Sequence, residues 1–204
     1  MPTTQPSSTA HPTPANDVSN TVSNVVIECR SPITGERFAE MPVDDARAVQ
    51  AAVARARVAQ EAYAKASFAD RRKVLRSILA AVVENADAIC DAVVRDSGKT
   101  RENAMLGEVM PICEKLRWNI KRGEAVLRPQ RVSSGMLVHK RAQIEYHPAG
   151  VAGAILPWNY PFQNLLNPLI TALTAGDAIV IKPSEWGSWS SARFHTLVRE
   201  AIQK

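Results

Sequence analysis

Two short apolar stretches with a run of helical length between them constrain this 204-residue chain more than any other feature. Residues 150–156 and 177–181 have strand length, and the segment 161–173 has the length and apolar content of a buried helix. A last helix is predicted over 188–202. Strand, helix, strand, helix is the order of a parallel sheet with crossover connections. The sequence therefore predicts an α/β fold for this part of the chain.

The preceding residues, 25–130, are predicted to be mostly helical. Asp44 or Asp45 can cap the first helix and Ser67 the second, because their side-chain oxygens accept from free backbone N–H groups. Gly98 is placed to end the third helix in the left-handed conformation. A fourth helix has the cleanest apolar stripe, and we expect its members to face the core: Leu106, Val109, Cys113, Leu116 and Ile120. The first helix is expected to pack through Val49, Ala52, Val53, Ala56 and Tyr63.

Three further segments complete the predicted organisation. Residues 1–24 are rich in Pro, Ser and Thr, which predicts a disordered tail. A short strand is predicted over 25–27. Within residues 131–148, two strands are predicted over 136–139 and 142–146, possible arms of a hairpin around Lys140-Arg141.

The three cysteines show neither disulfide nor metal-ligand spacing. Cys90 and Cys113 fall on apolar helical stripes, so we expect small core residues rather than nucleophiles. The cysteine content favours a reducing compartment. Because no targeting segment is recognisable either, we expect a cytoplasmic protein.

The charge pattern argues against two classes of partner. The net charge is +5, but the basic residues are spread along helices and mixed with acids, so no nucleic-acid footprint is formed. The uncharged stretch 148–176 is long enough for a membrane span. Its asparagines and prolines would leave polar groups unsatisfied in lipid, so no membrane span is expected.

The segment Asp96-Ser97-Gly98-Lys99-Thr100 has some likeness to a phosphate-binding loop. The Walker A pattern requires a glycine where this chain has Val93, and a strand where it has a helical pattern. A helix end followed by a turn is the better interpretation.

A stiff loop follows the first strand. Pro157 and Pro161 fix φ on either side of Trp158, Asn159 and Tyr160, at the end of the strand where open α/β sheets bind ligands. Asn159 is a candidate binding side chain, because its carboxamide offers two donors and one acceptor. The spacing alone leaves open an aromatic loop with a structural asparagine turn.

Polar residues also follow the second strand. Lys182-Pro183-Ser184-Glu185 begins 32 residues after Gly150, a spacing that suits a βαβ unit. An acid at this place commonly accepts hydrogen bonds from ribose hydroxyls and repels a 2′-phosphate, so NAD is favoured over NADP. Lys182 can bond the ribose or line the adenine side. The alternative is an exposed strand end with solvated charges.

These residues together resemble the aldehyde dehydrogenase superfamily. The resemblance rests on Gly150-Val151, Pro157-Trp158-Asn159-Tyr160-Pro161, Ala175-Gly176-Asp177 and Lys182-Pro183-Ser184-Glu185, and it extends over residues 25–204. Details around Asn159 and Glu114–Trp118 resemble a branch found in plants and fungi. The resemblance implies N-terminal helices followed by a truncated, Rossmann-like βαβ of a dinucleotide-binding domain. It assigns 25–130 to the helical part, 131–148 to an oligomerisation hairpin and 149–204 to an incomplete first βαβα.

The resemblance also implies a reaction: oxidation of an aldehyde to a carboxylic acid with NAD(P), through a cysteine nucleophile, in a homo-oligomer. Asn159 then donates to the oxyanion, Lys182 and Glu185 hold the adenosine ribose, and Leu156, Pro157 and Trp158 lie against the cofactor. No metal is implied.

The nucleophilic cysteine and the general-base glutamate of the superfamily lie beyond the matched stretch. We therefore expect residues 1–204 alone to be inactive. The alternative is a non-catalytic binding or interaction protein that retains the N-terminal fold.

Overall fold

The structure, a computed structural model, describes residues 25–203, so the predicted tail 1–24 lies outside the described residues. The strands are β1 (Val26–Arg30), β2 (Arg37–Pro42), β3 (Gln130–Val132), β4 (Ala142–Ile144), β5 (Val151–Ile155) and β6 (Ala178–Lys182). The helices are α1 (Ala46–Tyr63), α2 (Phe68–Glu84), α3 (Ala86–Ser97), α4 (Arg101–Ala104), α5 (Met110–Leu127), α6 (Pro161–Ala175) and α7 (Ser188–Gln203). A π-helical segment, Met105–Val109, joins α4 to α5.

The predicted βαβ unit is confirmed. β5 and β6 pair in parallel from Val151–Ala178 to Ile155–Lys182, and α6 makes the crossover between them. At the amino end of the pair, the backbone N–H of Gly150 donates to Oδ1 of Asp177 over 2.8 Å. This bond joins the residues that precede the two strands. The Asp177 side chain accepts there, in the place of the backbone carbonyl that a regular β-ladder would supply.

The core lies among α2, α3, α5, α6 and α7. Phe162 of α6 and Phe194 of α7 meet edge to face, with ring centroids 5.0 Å apart. Cys90 and Cys113 are buried in this core, as expected, and burial raises the pKa of both thiols. Other fully buried members are Leu75, Ile78, Val82, Val93, Ile112, Leu116, Leu166 and Ile170.

Helix α1 packs less deeply than its apolar pattern predicts. Asp45 caps it, accepting from the N–H of Ala48 over 2.7 Å, but the helix contains no buried residue and Val49 is half exposed. The helix lies against β5 and β6, and the Tyr63 hydroxyl donates to the carbonyl of Leu173 over 3.1 Å. It is therefore a cover for one face of the strand pair rather than part of the main core.

The prediction that Leu106 faces the core is wrong. Leu106 is 62% exposed, whereas Val109, three residues later, is buried. Pro111 has no N–H to donate to the preceding turn, and the N–H of Met110 donates to the carbonyl of Met105, five residues back. The widened turn rotates the earlier residues relative to the stripe, so Leu106 turns outward.

The strand predicted over residues 136–139 is also wrong. β4 pairs antiparallel with β3, and residues 136–139 lie in the turns between them. A two-residue loop at Lys140-Arg141 would require positive φ at side chains that disfavour it. Gly135, at φ 58°, supplies the positive φ in the longer connection.

A strand is confirmed near the predicted residues 25–27, although β1 runs from Val26 to Arg30 and is therefore longer. Its antiparallel partner β2 was not predicted.

Across residues 25–203, no helix combines the length and apolar character that a membrane crossing requires.

Candidate cofactor and catalytic site

Both sequence-predicted binding segments lie at the carboxyl edge of the β5–β6 pair. β5 ends at Ile155 and leads into Leu156–Tyr160, and β6 ends at Lys182. The N–H of Leu156 donates to the carbonyl of Lys182 over 3.0 Å, so the two segments begin side by side. The parallel pairing, rather than sequence proximity, brings the loop that contains Asn159 near Lys182 and Glu185.

The loop between Pro157 and Pro161 presents its side chains outward. Trp158 is 57% exposed and Asn159 is exposed. The Nδ2 amide of Asn164, on the first turn of α6, donates to Oδ1 of Asn159 over 3.3 Å and to the carbonyl of Pro157 over 3.4 Å. With its oxygen engaged, the Asn159 carboxamide has its Nδ2 group left as a donor for a ligand.

Lys182 and Glu185 form an exposed ion pair, with Nζ and Oε2 3.5 Å apart. The pKa of Glu185 is held below its ordinary value, first by a bond from its own backbone N–H and then by the positive charge of Lys182. The carboxylate is therefore charged at neutral pH and open to solvent. The carboxylate of this pair can accept from hydroxyl groups and repels a phosphate placed next to it, whereas the ammonium of Lys182 can donate.

A buried carboxylate beneath the loop was not predicted from the sequence. Glu108, in the π-helical segment, is fully buried. Its Oε2 accepts from the N–H of Phe162 over 2.8 Å and from the N–H of Gln163 over 3.3 Å. Its Oε1 accepts from Nζ of Lys99 over 2.7 Å. Glu108 thus caps the start of α6 from a distant part of the chain.

Lys99 also contacts the loop directly. Its Nζ lies 3.6 Å from the centroid of the Tyr160 ring. Gly107 also lies against that ring, and a Cβ added to this glycine would come within 3.3 Å of Tyr160 Cε1. Lys99 therefore makes tertiary contacts with both Glu108 and Tyr160. Gly98, at φ 71°, ends α3, as predicted.

One sequence signal could have revealed Glu108. It stands four residues after Ala104 and four before Ile112, both fully buried. Residues four apart share a helix face, so the apolar residues on either side mark Glu108 as a candidate for a buried and paired glutamate. Lys99 and the amides of α6 could not be recognised as its partners from local pattern.

The fold and the arrangement of this edge define a Rossmann-like α/β protein. The chain belongs to the aldehyde dehydrogenase family, whose model matches residues 19–203.

Individual relatives agree with this assignment. A putative aldehyde dehydrogenase-like protein of Saccharomyces cerevisiae is 39% identical over 181 residues, which cover 87% of this chain and 28% of that protein. A second such protein, of Schizosaccharomyces pombe, is 34% identical and is covered over 34% of its length.

Solved structures show the same relationship. The succinate-semialdehyde dehydrogenase of Burkholderia pseudomallei superposes with a TM-score of 0.81 at 26% identity, over 88% of this chain and 37% of that one. A C291A mutant of aldehyde dehydrogenase C of Pseudomonas syringae, complexed with NAD+ and octanal, superposes with a TM-score of 0.78 at 29% identity, over 90% of this chain and 36% of that one. The chain thus spans about a third of the length of the relatives it matches.

Proposed function

We propose that this chain is the N-terminal part of an NAD(P)-dependent aldehyde dehydrogenase, which oxidises an aldehyde to a carboxylic acid. The observation that carries the proposal is the carboxamide of Asn159, held by Asn164 at the carboxyl edge of the β5–β6 pair. Family membership and the strand-end position of the second polar pair, Lys182 and Glu185, add support.

The donor set at the end of β6 fits an adenosine ribose. Glu185 offers carboxylate oxygens to the ribose hydroxyls, and Lys182 offers a donor beside it. We propose Leu156, Pro157 and Trp158 as the surface against which the cofactor lies. When bound, NAD supplies the hydride acceptor.

The charged Glu185 disfavours a 2′-phosphate, so NAD is proposed over NADP, although a relative from Mycolicibacterium smegmatis is described as NADP-dependent.

Asn159 is the proposed catalytic residue. Its Nδ2 donates to the oxygen of the aldehyde as negative charge develops there. Because a donor fixed in advance needs no reorganisation during the reaction, its removal typically lowers kcat by about 10²–10³-fold. The nucleophile and the general base are proposed to come from the part of the enzyme that the relatives have beyond the matched region.

The test compares the 204-residue chain with the protein read from the same coding sequence beyond Lys204. We expect aldehyde-dependent NADH formation from the longer protein and none from the chain alone. Asn159→Ala in the longer protein should lower kcat by about 10²-fold or more while leaving NAD binding unchanged. A longer protein that folds and binds NAD without oxidising any aldehyde would favour the alternative, a non-catalytic interaction protein.

We also propose that the complete enzyme is a homo-oligomer and that the β3–β4 hairpin contributes to it. Within residues 25–203 the pair has two strands, so each has an unpaired edge, and Met136 and Val138 in its connection are 97% and 88% exposed. A second copy of the chain is the proposed partner. Val138→Asp should lower the mass measured by light scattering, whereas an unchanged mass would contradict the proposal.

A cytoplasmic location is proposed as well. It is supported by three cysteines that are all buried free thiols. Similarity to fungal relatives supports the proposed plant and fungal branch.

A further inference from the structure

The first turn of α6 has an unusual set of hydrogen-bond partners. Helices leave their first N–H groups without intrahelical acceptors. Pro161, at the first position, has no N–H, and Tyr160 before it provides no side-chain cap. The remaining donors, Phe162 and Gln163, both bond to Glu108. The start of α6, and with it the end of the Asn159 loop, is thus fixed by one distant carboxylate.

The Lys99–Glu108 ion pair links this cap to the aromatic residue next to Asn159. Lys99 has a side chain that is only 20% exposed, and Glu108 is completely buried. The ammonium group contacts both the carboxylate and the face of the Tyr160 ring. A cation held in this way contributes to ring placement through the cation–π interaction as well as to charge balance.

We propose that Glu108 and Lys99 are positioning residues for the carboxamide of Asn159. The proposal rests on the proposed function, in which Asn159 is the oxyanion donor. Glu108 fixes the residues three and four places after Asn159, and Lys99 fixes the ring directly after it. Asn164 bonds to Asn159 from α6, so a shift in the start of that helix moves the bond that orients the carboxamide.

The first experiment uses the 204-residue chain and does not depend on activity. Side-chain amide signals are recorded by NMR with nitrogen-labelled asparagine, and the Asn159 signal is assigned by its loss in Asn159→Ala. Glu108→Gln offers one oxygen where the carboxylate uses two, so the NH2 group of the glutamine must face either the two N–H groups of α6 or the ammonium of Lys99. We expect the Asn159 signal to shift and broaden. An unchanged Asn159 signal in a folded Glu108→Gln variant would overturn the proposal.

Glu124→Gln is the matched control. Glu124 forms an ion pair with Arg72, with side chains 27% and 30% exposed, near the other end of α5. It lies sixteen residues after Glu108, roughly 24 Å along the helix at 1.5 Å per residue. The control should lower the melting temperature without moving the Asn159 signal. Equal movement in both variants would show a general loss of packing and would overturn the proposal.

Lys99→Met keeps the proposal testable if Glu108→Gln does not fold. The variant retains the carboxylate cap and removes the cation over Tyr160, so the Asn159 signal should move. An unchanged signal in folded Lys99→Met would overturn the proposed role of Lys99. Combining Lys99→Met with Glu108→Gln should restore thermal stability and return the Asn159 signal to its position in Lys99→Met, because the glutamine oxygen can then accept from both N–H groups of α6 with no ammonium facing its NH2 group.

The second experiment measures kinetics in the longer protein. Glu108→Gln should lower kcat by about 10²-fold, the cost of a misplaced catalytic group, with the KM for NAD unchanged. A lower NAD affinity with unchanged kcat would contradict the positioning role. If the longer protein has no activity with wild-type sequence, the proposed function fails, and the NMR comparison still decides whether Glu108 positions Asn159.

Discussion

The Nδ2 amide of Asn164 lies 3.3 Å from Oδ1 of Asn159, and the same amide lies 3.4 Å from the carbonyl oxygen of Pro157. The two acceptors are on the loop that follows β5, and the donor is on the first turn of α6. The bond therefore selects one of the two orientations of the Asn159 carboxamide, the one in which Nδ2 is available to a ligand.

Asn164→Asp should reverse this orientation. An aspartate is the same size but can only accept, so the Asn159 amide is expected to turn its Nδ2 toward residue 164 and its oxygen toward the ligand. In the longer protein, kcat should fall by about 10²-fold or more, as for loss of an oxyanion donor. Steady-state kinetics with a fixed aldehyde would measure it.

Asn167→Asp is the control for the added charge. Asn167 is on the same helix, one turn later, and its side chain makes no hydrogen bond found within residues 25–203. Equal losses of kcat in the two variants would show that charge on α6, rather than the orientation of Asn159, is responsible.

Glu185→Gln should change the cofactor preference. The pKa of Glu185 is lowered by its own backbone N–H and by Lys182, so the wild-type side chain is charged at neutral pH. Glutamine removes both the charged acceptor for ribose and the repulsion of a 2′-phosphate. A hydrogen bond to a charged group contributes about 1.5–3 kcal/mol, so NAD should bind roughly tenfold or more weakly, while NADP binding improves.

Isothermal titration of both cofactors into the longer protein measures this change. Glu200→Gln, at an exposed position on α7, is the matched control and should leave both affinities as they are. A parallel loss of NAD and NADP affinity in Glu185→Gln would indicate that its charge does not discriminate between them.

Local pattern was sufficient for the elements that hold the site. The predicted strands at 150–156 and 177–181 correspond to β5 and β6 within one or two residues, because apolar strands between turn residues are strong signals. Ser67 caps α2, accepting from the N–H of Asp70 over 3.2 Å. Asn159 and Lys182 became candidates because they lie within a few residues of the ends of predicted strands, and their roles stay predictions.

What the sequence did not reveal depends on contacts between distant residues. The cap of α6 comes from Glu108, 54 residues before Phe162. The outward turn of Leu106 depends on one widened helical turn, which no apolar periodicity predicts. The β3–β4 pair was misplaced because the strand before the connection is only three residues long and all three are exposed, so it has no alternation of buried and exposed residues to detect.

Gly176→Ala should destabilise the chain more than an ordinary glycine substitution. Gly176 ends α6 at φ 92°, and an added Cβ would lie 2.5–2.8 Å from the guanidinium of buried Arg71. That guanidinium donates to the carbonyls of Thr174 and Ala64, so it cannot move without losing bonds at the ends of two helices. We expect a loss of about 2–4 kcal/mol, combining backbone strain with overpacking.

Gly35→Ala separates the two causes. Gly35 also has a positive φ, 73°, but an added Cβ there meets no atom within 4 Å. Its substitution should cost about 1 kcal/mol, from backbone conformation alone. Urea unfolding of the two variants would measure the difference. Equal losses of unfolding free energy would show that the Arg71 side chain moves away from the added Cβ without destabilising the chain.

Asp96→Asn should change how stability depends on pH. Oδ2 of Asp96 accepts from the N–H of Ser190 over 3.0 Å near the start of α7, and burial raises the pKa of this carboxyl above its ordinary value. Between the ordinary value, about 3.9, and the raised one, the folded state binds more protons than the unfolded state. The free energy of unfolding should therefore fall as pH rises through that window. Asparagine keeps an acceptor for Ser190 and does not titrate, so the stability of wild type relative to Asp96→Asn should decline as pH rises through that window. Urea unfolding of both proteins across this range would test it, and a relative stability that stays constant or rises with pH would show that burial does not penalise the charged form of Asp96.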